Sequence, residues 1–172
     1  SMTSTSAEHL GNLNYIEYKK KLVHPGIKNF SLSGKISLFI KEKGLSGRIH
    51  WLSKDGYDNI EIYDPFNSII AKISLTESSR KVLFVPSSSS QKEKSENVIK
   101  IIFGSSDNIF TLKKFLMSPP IELFENKNVS INYNEWIIRY SGIHDSIRKI
   151  PKTVEYSKDN ISLKIFINDI NT

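Results

Sequence analysis

Four histidines and eighteen acidic residues are the raw material for catalysis in this chain, and it has no cysteine. The missing thiol removes disulfide staples, thiolate metal sites and cysteine nucleophiles. His9, His24, His50 and His144 stand at no metal-ligand spacing, and each reads as a surface or half-buried histidine. His144 and Asp145 are adjacent, but no serine is tied to them by spacing, so a Ser-His-Asp arrangement has nothing local to support it. There is no G-x-S-x-G elbow, no phosphate-binding glycine loop, no G-x-G-x-x-G and no H-E-x-x-H. No two carboxylates are singled out for acid–base work. The sequence therefore predicts no catalytic residue, no metal and no cofactor.

What remains is charge and apolar surface. The 172 residues carry 24 Lys+Arg against 18 Asp+Glu, a net charge of +6. That balance suits nucleic acid, an anionic membrane face or an acidic protein, and equally an ordinary solvated surface. The aromatic residues fall mostly at alternating positions that suit a core, and no RNP-type motif appears, so nucleic acid is not expected. No apolar run approaches the ~18–20 residues of a membrane span; the longest are as short as Ile101-Ile102-Phe103.

The elements that must carry these residues follow from periodicity. Residues 1–6 are small and polar, and Ser1 ahead of Met2 resembles the scar of a cleaved tag. Residues 1–6 are thus expected to be a tag remnant or disordered tail, and 7–172 a single domain. Leu10, Leu13, Ile16 and Val23 predict a helix over Ala7–Val23, stopped by His24-Pro25-Gly26. The period then changes to two. Phe30–Ile40, Leu45–Trp51, Tyr57–Tyr63, Ile69–Leu75 and Arg80–Val85 predict five successive strands, separated at Gly44, Asp55-Gly56 and Asp64-Pro65-Phe66-Asn67. Ser87–Glu96 reads as a loop. Val98–Phe103 and Asn108–Met117 carry helical spacings, with Asp107 the expected N-cap of the second and Pro119-Pro120 its end. Strands return at Ile121–Phe124, Val129–Tyr133, Trp136–Tyr140, Val154–Tyr156 and Ile161–Ile167, with Gly142–Lys149 as a loop.

Short-turned sequential strands in this number curl into a barrel or a strongly curved antiparallel sheet. Helices inserted once in the middle would lie across an opening or inside. The plainer alternative is a β-sandwich with a helical insertion. Three features favour a container for lipid over a filled core. Leu45, Ile49 and Trp51 share one strand face, and the middle helices carry more apolar residues than one stripe requires. In Pro65-Phe66-Asn67 an aromatic occupies a turn tip, where polar residues are usual. Phe66 either stands in solvent or folds back onto the body.

At this point the chain resembles a family, the LolB-type outer-membrane lipoprotein receptors. Phe30-Ser31-Leu32-Ser33-Gly34-Lys35-Ile36 resembles their opening strand, and Ser46-Gly47-Arg48-Ile49-His50-Trp51 the next. Tyr57–Asn67 resembles their strand-plus-loop motif, and Leu112-Lys113-Lys114-Phe115-Leu116 with Pro119 their lid segment. Glu135–Tyr140, Ile150-Pro151-Lys152 and Ile161–Asp169 resemble the closing strands. The resemblance spans Phe30 to Ile170 in motif order, with Phe66 where the family has Leu, Asn67 where it has Gly, and Phe115 where Trp is common.

The resemblance implies a mainly β fold: an incompletely closed antiparallel β-barrel of about eleven strands, with an N-terminal helix and a short-helix lid over a hydrophobic cavity. It implies a cavity lined by Ile36, Leu38, Ile49, Trp51, Phe110, Phe115 and Leu116, and a membrane-contact loop at Pro65 and Phe66. It implies a monomer that accepts acylated lipoproteins from a LolA-type periplasmic carrier and inserts them into outer-membrane phospholipid. It also implies a lipid anchor at the periplasmic face of the outer membrane, on a cysteine that this sequence lacks. A LolA-like carrier, another apolar-ligand barrel, a lipid hydrolase and a filled interaction module remain the competing readings.

Overall fold

Period-two patterning dominates the chain, and the backbone follows it. The computed structural model describes residues 11–22, 26–87 and 93–172, the side chains of 93–96 excepted. In chain order the elements are β1 (Asn12–Asn14), α1 (Tyr15–Lys20), β2 (Phe30–Ile40), β3 (Lys43–Lys54), β4 (Tyr57–Tyr63), β5 (Ile69–Thr76) and β6 (Lys81–Pro86), followed by α2 (Glu93–Phe103), α3 (Ser106–Met117), α4 (Glu122–Asn126), β7 (Asn128–Tyr133), β8 (Trp136–Asp145), β9 (Ile150–Lys158) and β10 (Ile161–Asn171).

The ten strands form one sheet in the order β1-β7-β8-β9-β10-β2-β3-β4-β5-β6, not closed into a barrel. Every pairing is antiparallel except the short parallel one of β1 on β7. The first and last long strands join the halves, with Ile161 opposite Ile40 and Asn171 opposite Ser31. One face of each strand is apolar and buried, for example Leu32, Ile36 and Leu38 on β2 and Leu163, Ile165 and Ile167 on β10. The helices cover that face. A single helix, α3, meets Tyr140 on β8 and Tyr156 on β9 as well as Asp58 on β4, far across the strand order. A flat sheet would hold those strands too far apart, so the sheet curls around the helix.

Two glycines permit the curl. A Cβ at Gly34 would stand 2.2 Å from the Phe166 carbonyl oxygen, and one at Gly47 would stand 2.1 Å from that of Tyr63. Both lie beside register shifts, at Ile167/Asp169 and at Ile62/Tyr63. Bulges there bend the sheet, and only a residue without a side chain tolerates the approaching backbone.

The architecture is the open, mainly β one expected, with ten strands among the described residues where about eleven were expected. Several local expectations are corrected. The N-terminal helix occupies only Tyr15–Lys20, because Asn14 caps it: its side chain accepts from the Glu17 amide at 2.8 Å, and Glu17 reaches back to the Asn14 amide. Leu13 belongs instead to β1, and Ile16 is 64% exposed while Tyr18 faces inward. Residues 1–10 and 23–25, including His9, Leu10, Val23 and His24, lie outside the described residues, as do 88–92 of the Ser87–Glu96 loop. Helix α2 starts at Glu93, inside that expected loop. The N-cap of α3 is Ser105, not Asp107, its side chain accepting from the Asn108 amide. Ile121–Phe124 is not a strand: α4 covers it and ends on left-handed Lys127, whose amide bonds the Leu123 carbonyl. A short apolar run is ambiguous between the two, and here the Pro119-Pro120 entry and the Lys127 stop select the helix. The Gly142–Lys149 loop shrinks to a tight turn, because β8 continues to Asp145.

Candidate functional site

The concave face gathers most of the residues expected to meet lipid. Ile36, Leu38, Ile49, Trp51, Phe115 and Leu116 are buried in one apolar cluster with the inner faces of α2 and α3. Phe110 is half-buried against it, with the Arg80 guanidinium 4.5 Å from its ring centroid. In this arrangement the seven are packed together. Phe115 lies 5.0 Å from the Tyr18 ring and 5.2 Å from that of Tyr133, and Trp51 lies 6.0 Å from Phe30.

Polar groups inside this cluster are few, and three buried tyrosines are spent on α3. Tyr156 and Tyr18 donate to the carbonyls of Leu112 and Ser118, both at 2.7 Å, and Tyr140 donates to that of Phe115. The last carbonyls of a helix have no partner within it, so two of these hydroxyls complete the end of α3. Burial pushes all three phenols above their ordinary ionisation range, which keeps them donors. On the other side Asp58, 1% exposed, accepts from Trp51 Nε1 at 2.8 Å and from Lys113 Nζ at 3.2 Å. That fixes Trp51 and ties α3 to β4 with a largely buried ion pair.

The loop of Pro65 and Phe66 stands apart from all this. Asp64 builds the turn: its Oδ1 accepts from the amides of Phe66 at 2.8 Å and Ser68 at 2.9 Å. Its backbone carbonyl accepts from the Asn67 amide, and Asn67 takes φ +67°, a conformation asparagine tolerates. The turn leaves Phe66 89% exposed. The side chain therefore stands in solvent and does not fold back. Beside the loop an open groove of about 610 Å³ is lined by Lys35, Arg48, His50, Tyr63 and Asn67, among others. Lys35 and Arg48 face each other directly across β2 and β3. Like charges so placed repel unless an anion or solvent lies between them.

His50 and His144 are half-buried and not gathered with other ligands; among the described residues no group of three or more His, Asp or Glu side chains converges. Asp145 is taken up by the β8–β9 turn, accepting from the amides of Ile147 and Arg148 and from the Arg148 guanidinium. Those bonds hold its carboxyl below the usual range. The turn leaves Ile147 91% exposed, a second apolar tip built on an aspartate like that of Phe66. Sequence reasoning missed Ile147, the Asp58–Lys113 pair and the tyrosine donors. The D-x-[apolar] spacing shared by Asp64-Pro65-Phe66 and Asp145-Ser146-Ile147 was the signal for the first. The others join residues too distant in sequence to leave one.

The described part of the site is built mainly from apolar side chains. It joins an apolar interior under helices to an aromatic held outside. The family model described as outer membrane lipoprotein LolB matches residues 28–169. The outer-membrane lipoprotein LolB of Azoarcus sp. (strain BH72) is 22% identical over 147 residues, which cover 81% of this chain and 76% of that protein. The matched span runs from just before β2 into β10, and so takes in every long strand of the curled sheet, both covering helices and the Phe66 loop; the chain belongs to the LolB family of outer membrane lipoproteins.

Proposed function

We propose that this protein accepts the acyl chains of lipoproteins from a LolA-type periplasmic carrier and passes them to outer-membrane phospholipid, acting as a monomer and making or breaking no covalent bond. An acyl chain of about 16 carbons exposes ~12 kcal/mol of unfavourable surface in water, so a sheltered path is needed. Ile36, Leu38, Ile49, Trp51, Phe110, Phe115 and Leu116 supply the apolar face for that shelter once a covering helix yields. Anchoring at the periplasmic face of the membrane would come from a lipidated cysteine outside this sequence. The observation that carries the reading is the exposure of Phe66 on a turn stiffened by Asp64. Inserting one phenylalanine into a bilayer is worth roughly 1.5–3 kcal/mol, enough for a touch that releases cargo but not for an anchor. Lys35 and Arg48 beside it add attraction to anionic headgroups.

The test separates acceptance from release. Phe66→Glu is expected to take a lipoprotein from the carrier normally and to deliver it to liposomes ~10-fold or more slowly. Delivery at the wild-type rate would remove the loop from the mechanism. A carrier-type protein has no use for Phe66 and would show no such split.

A further inference from the structure

The outer face of the sheet carries a polar groove, on the opposite side from the apolar cluster. Lys35 and Arg48 alternate along β2 and β3 with Ile36 and Ile49, which are buried in that cluster, so the two cations project outward. They stand in one row across three strands, Lys35 opposite Arg48 and Arg48 opposite Tyr63. The groove they line measures about 610 Å³, within the ~300–1,000 Å³ usual for small-molecule sites. Asn67 from the Phe66 loop and Asn168 from the β10 bulge line it as well.

The charge of the groove favours an anion. Among its lining residues Lys35 and Arg48 stand against one carboxylate, Glu61. Glu61 is turned to Tyr63: burial first, and then that carboxylate, raise the Tyr63 phenol above its ordinary value, so the phenol stays a donor to it. Lys35 lies over Phe166, directly opposite on β10, with its ammonium 5.8 Å from the ring centroid, and Lys152 shares that ring at 5.6 Å. Three cations thus gather on this part of the outer face. An anion between them relieves their repulsion. An arginine beside a lysine fits a phosphate, because the guanidinium gives two parallel N–H bonds and the ammonium a point charge. The position of the groove says which phosphate. Asn67 follows Phe66 by one residue, ~3.8 Å of chain. With the Phe66 ring in the apolar layer of a bilayer, the groove behind Asn67 lies among the headgroups, a layer ~5–7 Å thick on each side.

We infer that this groove binds the phosphodiester of a phospholipid in the receiving membrane, with Arg48 and Lys35 on the phosphate oxygens and Asn67 at the rim, while Phe66 enters the bilayer beside it. This rests on the membrane contact of Phe66 proposed above and names the lipid group recognised there. The apolar cluster lies on the other face of the sheet, so lipid held in the groove belongs to the membrane and is not the cargo. A phosphate site depends on the fork geometry of one arginine, whereas diffuse attraction depends on net charge alone.

Two probes test this on the full chain without cargo: vesicles of phosphatidylcholine and phosphatidylglycerol in equal parts, and glycerophosphoglycerol, the water-soluble headgroup of the second lipid. Glycerophosphoglycerol is expected to shift the amide resonances of Lys35, Arg48 and Asn67 saturably. Arg48→Gln should weaken binding of both probes ~10-fold, and Arg48→Lys, which keeps the charge but loses the fork, ~3-fold or more. Lys20→Gln on α1 removes the same charge elsewhere and should change either by less than ~2-fold. Wild-type affinity in Arg48→Lys, or equal losses in Arg48→Gln and Lys20→Gln, would overturn the inference in favour of diffuse charge. Headgroup shifts without vesicle binding would overturn it in favour of a site for free phosphate. Binding of neither probe would overturn it and leave the cations to an acidic protein. Phe66→Glu is expected to weaken vesicle binding and to leave the headgroup shifts unchanged. If Phe66→Glu bound vesicles as wild type does, the proposed role of the loop would fall, while the headgroup shifts and the Arg48 variants would still decide the groove.

Discussion

At the scale of single residues, Asp58 and Phe66 are opposites. Asp58 is buried with two donors on it, Trp51 Nε1 and Lys113 Nζ. Removing the carboxylate leaves both unpaired in apolar surroundings, so Asp58→Ala is expected to destabilise the fold by ~3–5 kcal/mol. Urea unfolding of Asp58→Ala, Lys113→Met and the double variant checks this. The double variant should be less destabilised than the sum of the two, because no buried charge is left behind. Phe66 touches solvent on nearly all sides. Phe66→Glu should move the unfolding free energy by no more than ~0.5 kcal/mol while slowing delivery to membranes. Phe66 was legible in the sequence because an aromatic beside Pro65 in a turn violates local preference. Asp58 was not, because its lysine lies 55 positions away and nothing local marks either partner.

At the scale of elements, the long strands were legible and the short helical pieces were not. Alternation over Phe30–Ile40 fixes both the strand and its buried face, since a one-residue slip would turn every apolar side chain to water. Over Ala7–Val23 the apparent helical stripe misled. A capping box at Asn14 began the helix later and turned Tyr18, not Ile16, inward. Ile121–Phe124 was too short for periodicity to separate strand from helix. The bends in the strands rest on glycines whose need arises from a neighbouring strand. Gly34→Ala and Gly47→Ala should each cost ~2 kcal/mol or more, because the added methyl meets a backbone carbonyl that cannot turn aside. Gly56→Ala is the control for crowding, since its nearest neighbour is the end of Glu77 at 3.8 Å. Its loss should come only from its φ of +82°. Thermal melts of the three variants would rank them.

At the scale of the whole molecule, buried tyrosines link the curled sheet and helix α1 to the inner helix α3, and this sets an alkaline limit. Tyr18, Tyr140 and Tyr156 hold their protons in the folded protein above the ordinary phenol value because burial disfavours the anion. The unfolded chain ionises near pH ~10, so above that the folded state binds more protons than the unfolded one. Their contribution is full below pH ~10 and is lost as pH rises further, by up to ~1.4 kcal/mol per pH unit for each buried hydroxyl. From this source urea midpoints should hold between pH 8 and about pH 10 and fall along this slope toward pH 11. Tyr140→Phe with Tyr156→Phe should flatten it, though it lowers stability at pH 8 by ~1 kcal/mol per bond lost.

By itself the sequence determined the buried faces of the long strands, the breaks between them and the presence of an aromatic in the Phe66 turn, whose exposure the structure decided. Each of these depends on residues within a few positions of one another, where side-chain period and turn preference act. Only the tertiary structure decided that the sheet stays open at β1 and β6, that three tyrosines and Asp58 secure α3, and that Val98, Ile99, Ile102 and Phe103 of α2 are buried against the sheet. Those outcomes depend on which distant side chains the curl of the sheet brings within hydrogen-bond reach. That curl is a property of all ten strands together and of no segment taken alone.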